Sequence, residues 1–278
     1  KVQQPLNGNG ETKSLEQFNR SLHFGQFTPR FSMQYLSSHN QLFYASVSKG
    51  YKAGGFNVSF LNNDDYLYSP EYNWNYEIGT KLSFLNNRLS ADLSLFYIDW
   101  RNQQITNTIP TVGNVIRNAG RSRNKGIEAS FQARPTKSWM MYMNYGYTDA
   151  RFVHYQKEER GILKDYEGNY LPMVPRHTFS LTTGYSFYDI CSWIDRLTLN
   201  AGVSVTGPIY WYEDNQAKQS PYALVNLRIS INKGCFTWEA WSKNLTNTDY
   251  LSYYFVTSKA YAQKGKPITL GTSVSISL

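Results

Sequence analysis

The sequence predicts an all-β fold, namely an antiparallel transmembrane β-barrel. Three observations support this prediction: side chains alternate between apolar and polar along most of the chain, the links between strands alternate between short and long, and aromatic residues cluster where long links begin. An alternation with a period of two places one set of side chains on each face of a strand. A barrel in a membrane turns its apolar face to lipid and its polar face to the lumen.

The composition agrees with a surface that water covers only in part. The chain has 278 residues, of which 17% are charged and 16% aromatic, with 23 Tyr and 15 Phe. Globular proteins average about 25% charged residues. No run of 18 consecutive apolar residues is present, which excludes a transmembrane helix.

Eleven strands are expected from the alternation. Between Tyr72 and Phe84, for example, one parity is mostly aromatic or aliphatic and the other is polar. The same pattern recurs along the chain with intervals too long for a soluble sandwich. The expected strands cover residues 27–36, 42–53, 72–85, 88–103, 122–134, 138–151, 175–187, 196–210, 221–232, 235–246 and 266–278.

The links between these strands alternate in length. The short ones are 37–41, 86–87, 135–137, 188–195 and 232–234. The long ones are 53–71, 104–121, 152–174, 211–220 and 247–265. Such asymmetry is typical of an outer-membrane barrel, which has short periplasmic turns and long extracellular loops. Residues 1–26 are expected to form an extracellular loop that enters the barrel.

The odd number of strands indicates an incomplete barrel, because bacterial single-chain barrels have an even number. Barrels of 22 strands carry a plug in the lumen, and eleven strands are half of such a barrel. We therefore expect residues 27–278 to form the C-terminal half of the barrel, with the plug domain absent.

A series of short motifs runs along the chain in a fixed order. The motifs are Thr28-Pro29-Arg30-Phe31-Ser32, the run 44–57, Pro70-Glu71, the run 74–81, Phe96-Tyr97, Asn118-Ala119-Gly120, Gly126-Ile127-Glu128, Pro175-Arg176-His177, the run 243–247 and Gly265-Lys266-Pro267. In this order they resemble the TonB-dependent outer-membrane receptors. The resemblance covers residues 28–278.

The resemblance implies active uptake of a scarce, bulky nutrient across the outer membrane of a Gram-negative bacterium. Family members bind the ligand with loops and plug, and the TonB complex acts through an N-terminal region that is missing from these residues. Lys-Gly-Tyr-Lys-Ala-Gly-Gly-Phe at 49–56 is most similar to receptors for ferric siderophores. Haem, cobalamin and glycan receptors of the family remain alternatives. No cofactor is expected, since iron enters only as part of a chelated ligand.

Candidate ligand-binding residues are the cations and rings near the long links, because ferric siderophores are usually neutral or anionic chelates with flat groups. They are Arg117, Arg121, Arg123, Trp211, Tyr212, Tyr253 and Tyr254. The alternation, however, puts Arg121 and Arg123 on the parity of the apolar Ile127. That parity also makes them candidates for contact with lipid headgroups or lipopolysaccharide phosphates.

Charged residues of the polar parity should face the lumen and hydrogen-bond the plug of a complete receptor. They are Glu77, Lys81, Asp92, Glu128, Arg134, Arg228 and Glu239. The alternative for each is simple solvation of the lumen.

Other classes of function have less support. The four histidines are scattered, no nucleophile elbow or phosphate loop is present, and Cys191 and Cys235 match no zinc or redox spacing. No catalytic or metal site is therefore expected. Nucleic-acid binding is not expected despite the net charge of +8, because the basic residues form no patch. A self-contained porin or barrel enzyme and a soluble β-rich binding protein are the alternatives from other classes.

Overall fold

The computed structural model describes residues 21–38, 41–60, 65–109, 112–159, 162–256 and 259–277. Strands account for the regular structure of these residues. In chain order they are β1 (Arg30–Leu36), β2 (Leu42–Lys52), β3 (Gly55–Phe56), β4 (Leu67–Tyr68), β5 (Glu71–Phe84), β6 (Leu89–Ile109), β7 (Gly113–Ala133), β8 (Trp139–His154), β9 (Gln156–Glu159), β10 (Ile162–Asp165), β11 (His177–Cys191), β12 (Ile194–Thr206), β13 (Ile209–Tyr210), β14 (Lys218–Gln219), β15 (Tyr222–Lys233), β16 (Phe236–Lys243), β17 (Leu251–Val256), β18 (Ala260–Lys264) and β19 (Thr269–Ile276). Within the described ranges, no helix is long and apolar enough to span a bilayer.

Eleven of these strands form one antiparallel sheet in the order β1-β2-β5-β6-β7-β8-β11-β12-β15-β16-β19. Each strand pairs with its successor in the sheet, so the chain runs up and down without a crossover. The other strands form two-stranded hairpins inside the long links: β3 with β4, β9 with β10, β13 with β14 and β17 with β18. The expected eleven-stranded antiparallel arrangement is confirmed.

The bounds of the expected segments need some correction. Strand β1 begins at Arg30 rather than at residue 27, and β11 continues to Cys191. Of the expected entry loop, residues 1–20 lie outside the described residues, as does Leu278, whereas 21–29 have no regular structure.

The expected long link at 104–121 is wrong. Strands β6 and β7 have 21 residues each and form one hairpin, whose pairing continues to Ile109 opposite Gly113. Ile105 and Thr106 favour an extended backbone, and Gly113 supplies the positive φ of 101° that the turn needs. The hairpin therefore extends well past the 9–11 residues that cross a bilayer.

The register of the ladder defines two faces of the sheet, because residues directly opposite each other in an antiparallel pair point to the same side. One row joins Ile78, Leu95, Ile127 and Tyr147 across four strands. We call this side the apolar face. The side that carries the alternate residues is the polar face.

The polar face is tied together by side-chain hydrogen bonds. Tyr44 Oη donates to Glu77 Oε1 at 2.7 Å, Ser130 Oγ donates to Asn144 Oδ1 at 2.9 Å, and Asn144 Nδ2 donates to Ser180 Oγ at 3.2 Å. The residues expected to face the plug lie on this face, except Arg134, which follows the end of β7: Glu77, Lys81, Asp92, Glu128, Arg228 and Glu239.

Large apolar side chains remain exposed across the whole apolar face. Ile78 is 56% exposed, Leu93 46% and Leu95 43%. A contiguous apolar surface of this extent needs an apolar environment, which lipid supplies to a membrane barrel.

Aromatic residues mark both borders of the apolar face. Towards the long links, the rings of Trp74 and Tyr76 lie 6.5 Å apart and those of Tyr76 and Tyr97 lie 6.2 Å apart. Towards the short turns lie Trp139 and Tyr185, paired in register. Such aromatic rows are typical of the two membrane–water interfaces.

The two faces predict opposite responses to a charge. In the full-length protein, Leu93→Arg is expected to destabilise the folded state by about 2–4 kcal/mol, because the guanidinium would enter hydrocarbon. Ser94→Arg, the matched control on the polar face opposite Glu128, should change stability little. Thermal unfolding in detergent, followed by loss of β-sheet circular dichroism, measures both. Equal effects of the two variants would contradict the assignment of the faces.

Candidate functional site

The long links lie at one end of the sheet, because consecutive links in an up-and-down sheet alternate between its two ends. They contact one another there. Asn169 Nδ2 donates to the Glu213 carbonyl at 2.9 Å, and the Tyr170 amide donates to Asn215 Oδ1 at 2.7 Å. The Leu251 amide donates to Gln219 Oε1 at 2.8 Å. The links after β8, β12 and β16 are thus joined in series.

The β6–β7 hairpin is braced in the same way by the link after β2. Arg117 holds Asp65 through two bonds of 2.6 Å each, from Nε and Nη2. Asn57 donates from Nδ2 to the Ile116 carbonyl at 2.8 Å and accepts from the Ile116 amide at 2.8 Å. Asp65 and Asn57 are both buried. Arg117, one of the expected ligand-binding residues, therefore anchors a loop.

Four of the expected ligand-binding residues do come together. Trp211 and Tyr212, between β13 and β14, pack against Tyr253 and Tyr254 of β17, with ring centroids 6.2–6.5 Å apart. We call these four residues the loop aromatic cluster. It joins the links after β12 and β16 into one unit.

Two polar atoms of this cluster have contrasting environments. Tyr212 Oη accepts a hydrogen bond from the Val256 amide at 2.5 Å, and burial raises the pKa of Tyr212 above its ordinary value. Trp211 is only 6% exposed, and its Nε1 is buried without a hydrogen-bond partner in the described part of the chain. An unpaired buried donor costs free energy, so Trp211 stabilises the cluster through the packing of its ring and not through its N–H.

Arg121 and Arg123 lie away from this cluster, on the apolar face of β7. Arg121 Nε donates to Asp99 Oδ1 at 2.5 Å, and Arg101 also binds Asp99. Arg123 is exposed and lies in register with Asp99 on one side and Arg151 on the other. The seven expected ligand-binding residues therefore fall into three places: the loop aromatic cluster, the Arg117 anchor and the charged end of the apolar face.

Sequence reasoning missed further members of this charged end. Arg151 donates from Nε to Asp149 Oδ1 at 2.8 Å, and the guanidinium carbons of Arg151 and Arg176 lie 4.0 and 4.8 Å from the ring centroid of Tyr170. The signal was present for two of them, since Asp149 and Arg151 share the parity of Tyr147. Arg176 and Tyr170 lie in a link, where parity gives no information.

An up-and-down antiparallel sheet with one apolar face, two aromatic borders and long links at one end is the architecture of an outer-membrane β-barrel. Comparison with known proteins identifies which kind. Residues 3–247 match the family model described as TonB dependent receptor-like, beta-barrel. The chain belongs to this family of the Gram-negative outer membrane.

Relatives of the chain are named as outer-membrane receptors or transporters, and one of them is named as a siderophore receptor. The probable TonB-dependent siderophore receptor PiuA of Acinetobacter baumannii is 26% identical over 241 residues, which cover 81% of this chain and 30% of PiuA. The pesticin receptor of Yersinia pestis is 26% identical over 90% of this chain and 36% of its own length. The ferrichrome outer membrane transporter/phage receptor of Escherichia coli K12 is 25% identical over 72% of this chain. The chain thus spans about a third of the length of the first two.

Solved structures share the fold. The ferric yersiniabactin uptake receptor FyuA of Yersinia pestis superposes with a TM-score of 0.75 at 23% identity, covering 89% of this chain and 36% of that one. The siderophore receptor PiuA of Acinetobacter baumannii gives a TM-score of 0.70 at 22% identity, covering 88% and 34%.

The packing of Trp211 predicts how the links depend on it. In the full-length protein, Trp211→Ala should speed hydrogen exchange in both 207–221 and 244–268, because removing a buried Trp side chain costs about 3–5 kcal/mol. Trp211→Phe should leave exchange close to the unmodified protein, since Nε1 donates no hydrogen bond to any of the described residues.

Trp193 provides the control. It is 82% exposed at a short turn, so Trp193→Ala should leave exchange in both links unchanged. Unaltered exchange in Trp211→Ala would show that the loop aromatic cluster does not hold the links together.

Proposed function

We propose that this chain supplies half of the barrel and the ligand-contacting loops of a receptor that imports a ferric siderophore across the outer membrane. Membership of the TonB-dependent receptor family supports the transport class. The observation that carries the ligand class is the loop aromatic cluster, which gathers four rings between two long links.

The chemistry of this cluster suits a ferric chelate. Flat catecholate or hydroxamate groups pack against aromatic faces. Tyr253 is 42% exposed and offers the accessible ring of the cluster. The names of relatives such as PiuA and the ferrichrome transporter agree with this ligand class.

The polar face would meet the plug in the complete receptor. Arg228 Nη1 lies 3.6 Å from Glu239 Oε1. Both residues share the polar face with Lys81 and Asp92, which lie opposite each other in the ladder. These charged residues provide hydrogen-bonding partners for a plug surface. Import would draw its energy from the TonB complex, acting through the N-terminal region of the receptor. This chain would take part in transport and would catalyse no reaction.

The proposal predicts selective binding of iron chelates. The full-length receptor in detergent, titrated with ferric hydroxamate and ferric catecholate siderophores, should bind at least one of them, with quenching of tryptophan fluorescence. Haemin and cobalamin serve as the comparison ligands. Tight binding of haemin or cobalamin, with no response to any ferric siderophore, would overturn the ligand class.

A single ring tests the site. Tyr253→Ala should weaken binding of the ferric siderophore by about tenfold, the loss of one ring contact, whereas Tyr253→Phe should retain most of the affinity. Tyr188→Ala is the control, since Tyr188 is 52% exposed near a short turn at the opposite end of the sheet. Equal affinities of Tyr253→Ala and the unmodified receptor would remove this cluster from the binding site.

A further inference from the structure

A single side-chain amide joins the link after β12 to the link after β8. Asn215 lies in the turn between β13 and β14, close to Trp211 and Tyr212 of the loop aromatic cluster. Its Oδ1 accepts a hydrogen bond from the Tyr170 amide at 2.7 Å, and its Nδ2 donates to the Tyr170 carbonyl at 3.0 Å. Nδ2 also donates to the Tyr212 carbonyl at 3.1 Å. We call these three hydrogen bonds the Asn215 clamp.

We propose that Asn215 is a positioning residue for the ligand site, because the Asn215 clamp holds the loop aromatic cluster in its ligand-binding arrangement before the ligand arrives. The inference rests on the proposed function, since it concerns the same site. It assigns to Asn215 an effect on ligand binding that acts through Tyr212 and the rings beside it.

The segment that the clamp grips is itself fixed to the rim of the barrel. Residues 169–171 run antiparallel to the end of β8. Two backbone hydrogen bonds of 3.0 Å each join them to it, from the Phe152 amide to the Asn169 carbonyl and from the Leu171 amide to the Ala150 carbonyl. Tyr170 lies between these two bonds, in an antiparallel bridge with Arg151.

This pairing explains why Tyr170 needs a partner on its other side. In an antiparallel pair, a residue whose neighbours on both sides bond to the adjacent strand turns its own N–H and C=O groups away from that strand. The Asn169 carbonyl and the Leu171 amide bond to β8, so the two backbone groups of Tyr170 point to the free edge. Backbone groups at such an edge require partners. The Asn215 side chain offers one donor and one acceptor on the same planar amide, and it satisfies both groups.

The backbone at Asn215 shows why this residue suits the position. Its φ of 55° lies in the left-handed region, which Gly and Asn adopt more readily than other residues. The Asn215 amide donates to the Tyr212 carbonyl at 3.1 Å and closes the turn. Glycine would fit this backbone as well, but it would lack the amide side chain. The substitution Asn215→Gly therefore removes the clamp without straining the turn.

The side chain of Tyr170 gives the clamp a firm base. Arg151 donates to Tyr170 Oη, and the guanidinium carbons of Arg151 and Arg176 lie 4.0 and 4.8 Å from the centroid of the Tyr170 ring. The ring also stacks on Tyr210, with the centroids 5.5 Å apart and the planes 7° apart. Tyr170 is thus held by the end of β8, and the clamp fixes the link after β12 relative to the barrel wall.

The position of the clamp predicts which step of ligand binding it controls. Tyr212 packs against Tyr254 with ring centroids 6.2 Å apart. Without the clamp, only a fraction of the receptors would hold these rings in the binding arrangement, and the apparent affinity would fall by that fraction. The association rate constant would fall in the same proportion. The dissociation rate constant would stay the same, because the contacts with the bound ligand are unchanged.

The test is Asn215→Gly in the full-length receptor, with ferric hydroxamate and ferric catecholate siderophores as the probes. Stopped-flow quenching of tryptophan fluorescence gives both rate constants. We expect an association rate constant about tenfold lower, from the loss of the clamp, and an unchanged dissociation rate constant. Unchanged association would overturn the inference. Faster dissociation with unchanged association would make Asn215 a direct ligand contact instead.

Two further variants separate the hydrogen bonds from other effects of the substitution. Asn215→Asp has nearly the same shape but turns an acceptor towards the Tyr170 and Tyr212 carbonyls, so it should slow association at least as much as Asn215→Gly. Asn87→Gly is the matched control, because Asn87 also has a positive φ, of 64°, and accepts a hydrogen bond from Ser83 Oγ at a short turn. It should leave both rate constants unchanged. Normal association in Asn215→Asp, or slow association in Asn87→Gly, would overturn the inference.

Hydrogen exchange shows whether the clamp has been released. In Asn215→Gly, the Tyr170 amide and residues 211–217 should exchange faster, and heat-dependent gel mobility confirms that the barrel is folded. Faster exchange with normal siderophore kinetics would give the clamp a structural role alone and overturn the inference. A receptor that binds haemin or cobalamin instead of a ferric siderophore would overturn the proposed function. The same rate constants, measured with that ligand, would then still test Asn215.

Discussion

The backbone hydrogen-bonded ladder is the constraint on which the rest of this structure depends. In a bilayer no water is present to satisfy backbone N–H and C=O groups, so each strand must pair with its neighbours along its whole membrane-spanning length. Pairing fixes the register, and a shift of one residue would exchange the two faces. The row from Ile78 to Tyr147 and the pairing of Lys81 with Asp92 are thus two consequences of one register.

Beyond the membrane the ladder loses this role, and side chains take over. The links after β8, β12 and β16 are held by amide side chains such as Asn215 and Gln219 and by the rings around Trp211. The link after β8 adds an apolar cluster that includes Phe152, Tyr155, Tyr166 and Leu171, and the described links contain hairpins of two to six residues per strand. Outside the membrane, the positions of the links therefore depend on local side-chain contacts rather than on the ladder.

The sequence was most informative where the membrane dictates the pattern. All eleven strands followed from alternation, and so did the shared parity of Arg123 and Ile127. It failed at 104–121, where Gln103 and Gln104 interrupt the alternation and the long hairpin depends on contacts with Asn57 and Asp65, distant in the chain. Residue type predicts that Arg117 binds ligand, which stays a prediction, but it could not predict the contact of Arg117 with Asp65. Alternation with a period of two predicts the face of the sheet on which a side chain lies, but it does not predict which residue that side chain contacts.

The apolar face shows how one pattern serves two environments. Along β7 the side chains of a single parity pass from Ile127 to Lys125, Arg123 and Arg121, while the strand keeps its pairing with β6. The pairing with β6 needs no rearrangement between hydrocarbon and headgroup, because the environment changes with height along the strand; the pairing with β8 shifts only between Arg121 and Ser122. Asp99 is buried on β6, which lies between β5 and β7. Its ion pairs with Arg101 and Arg121 hold these basic groups in position at the interface. The outward parity of these arginines thus follows from the same register that exposes Ile127 and Leu95.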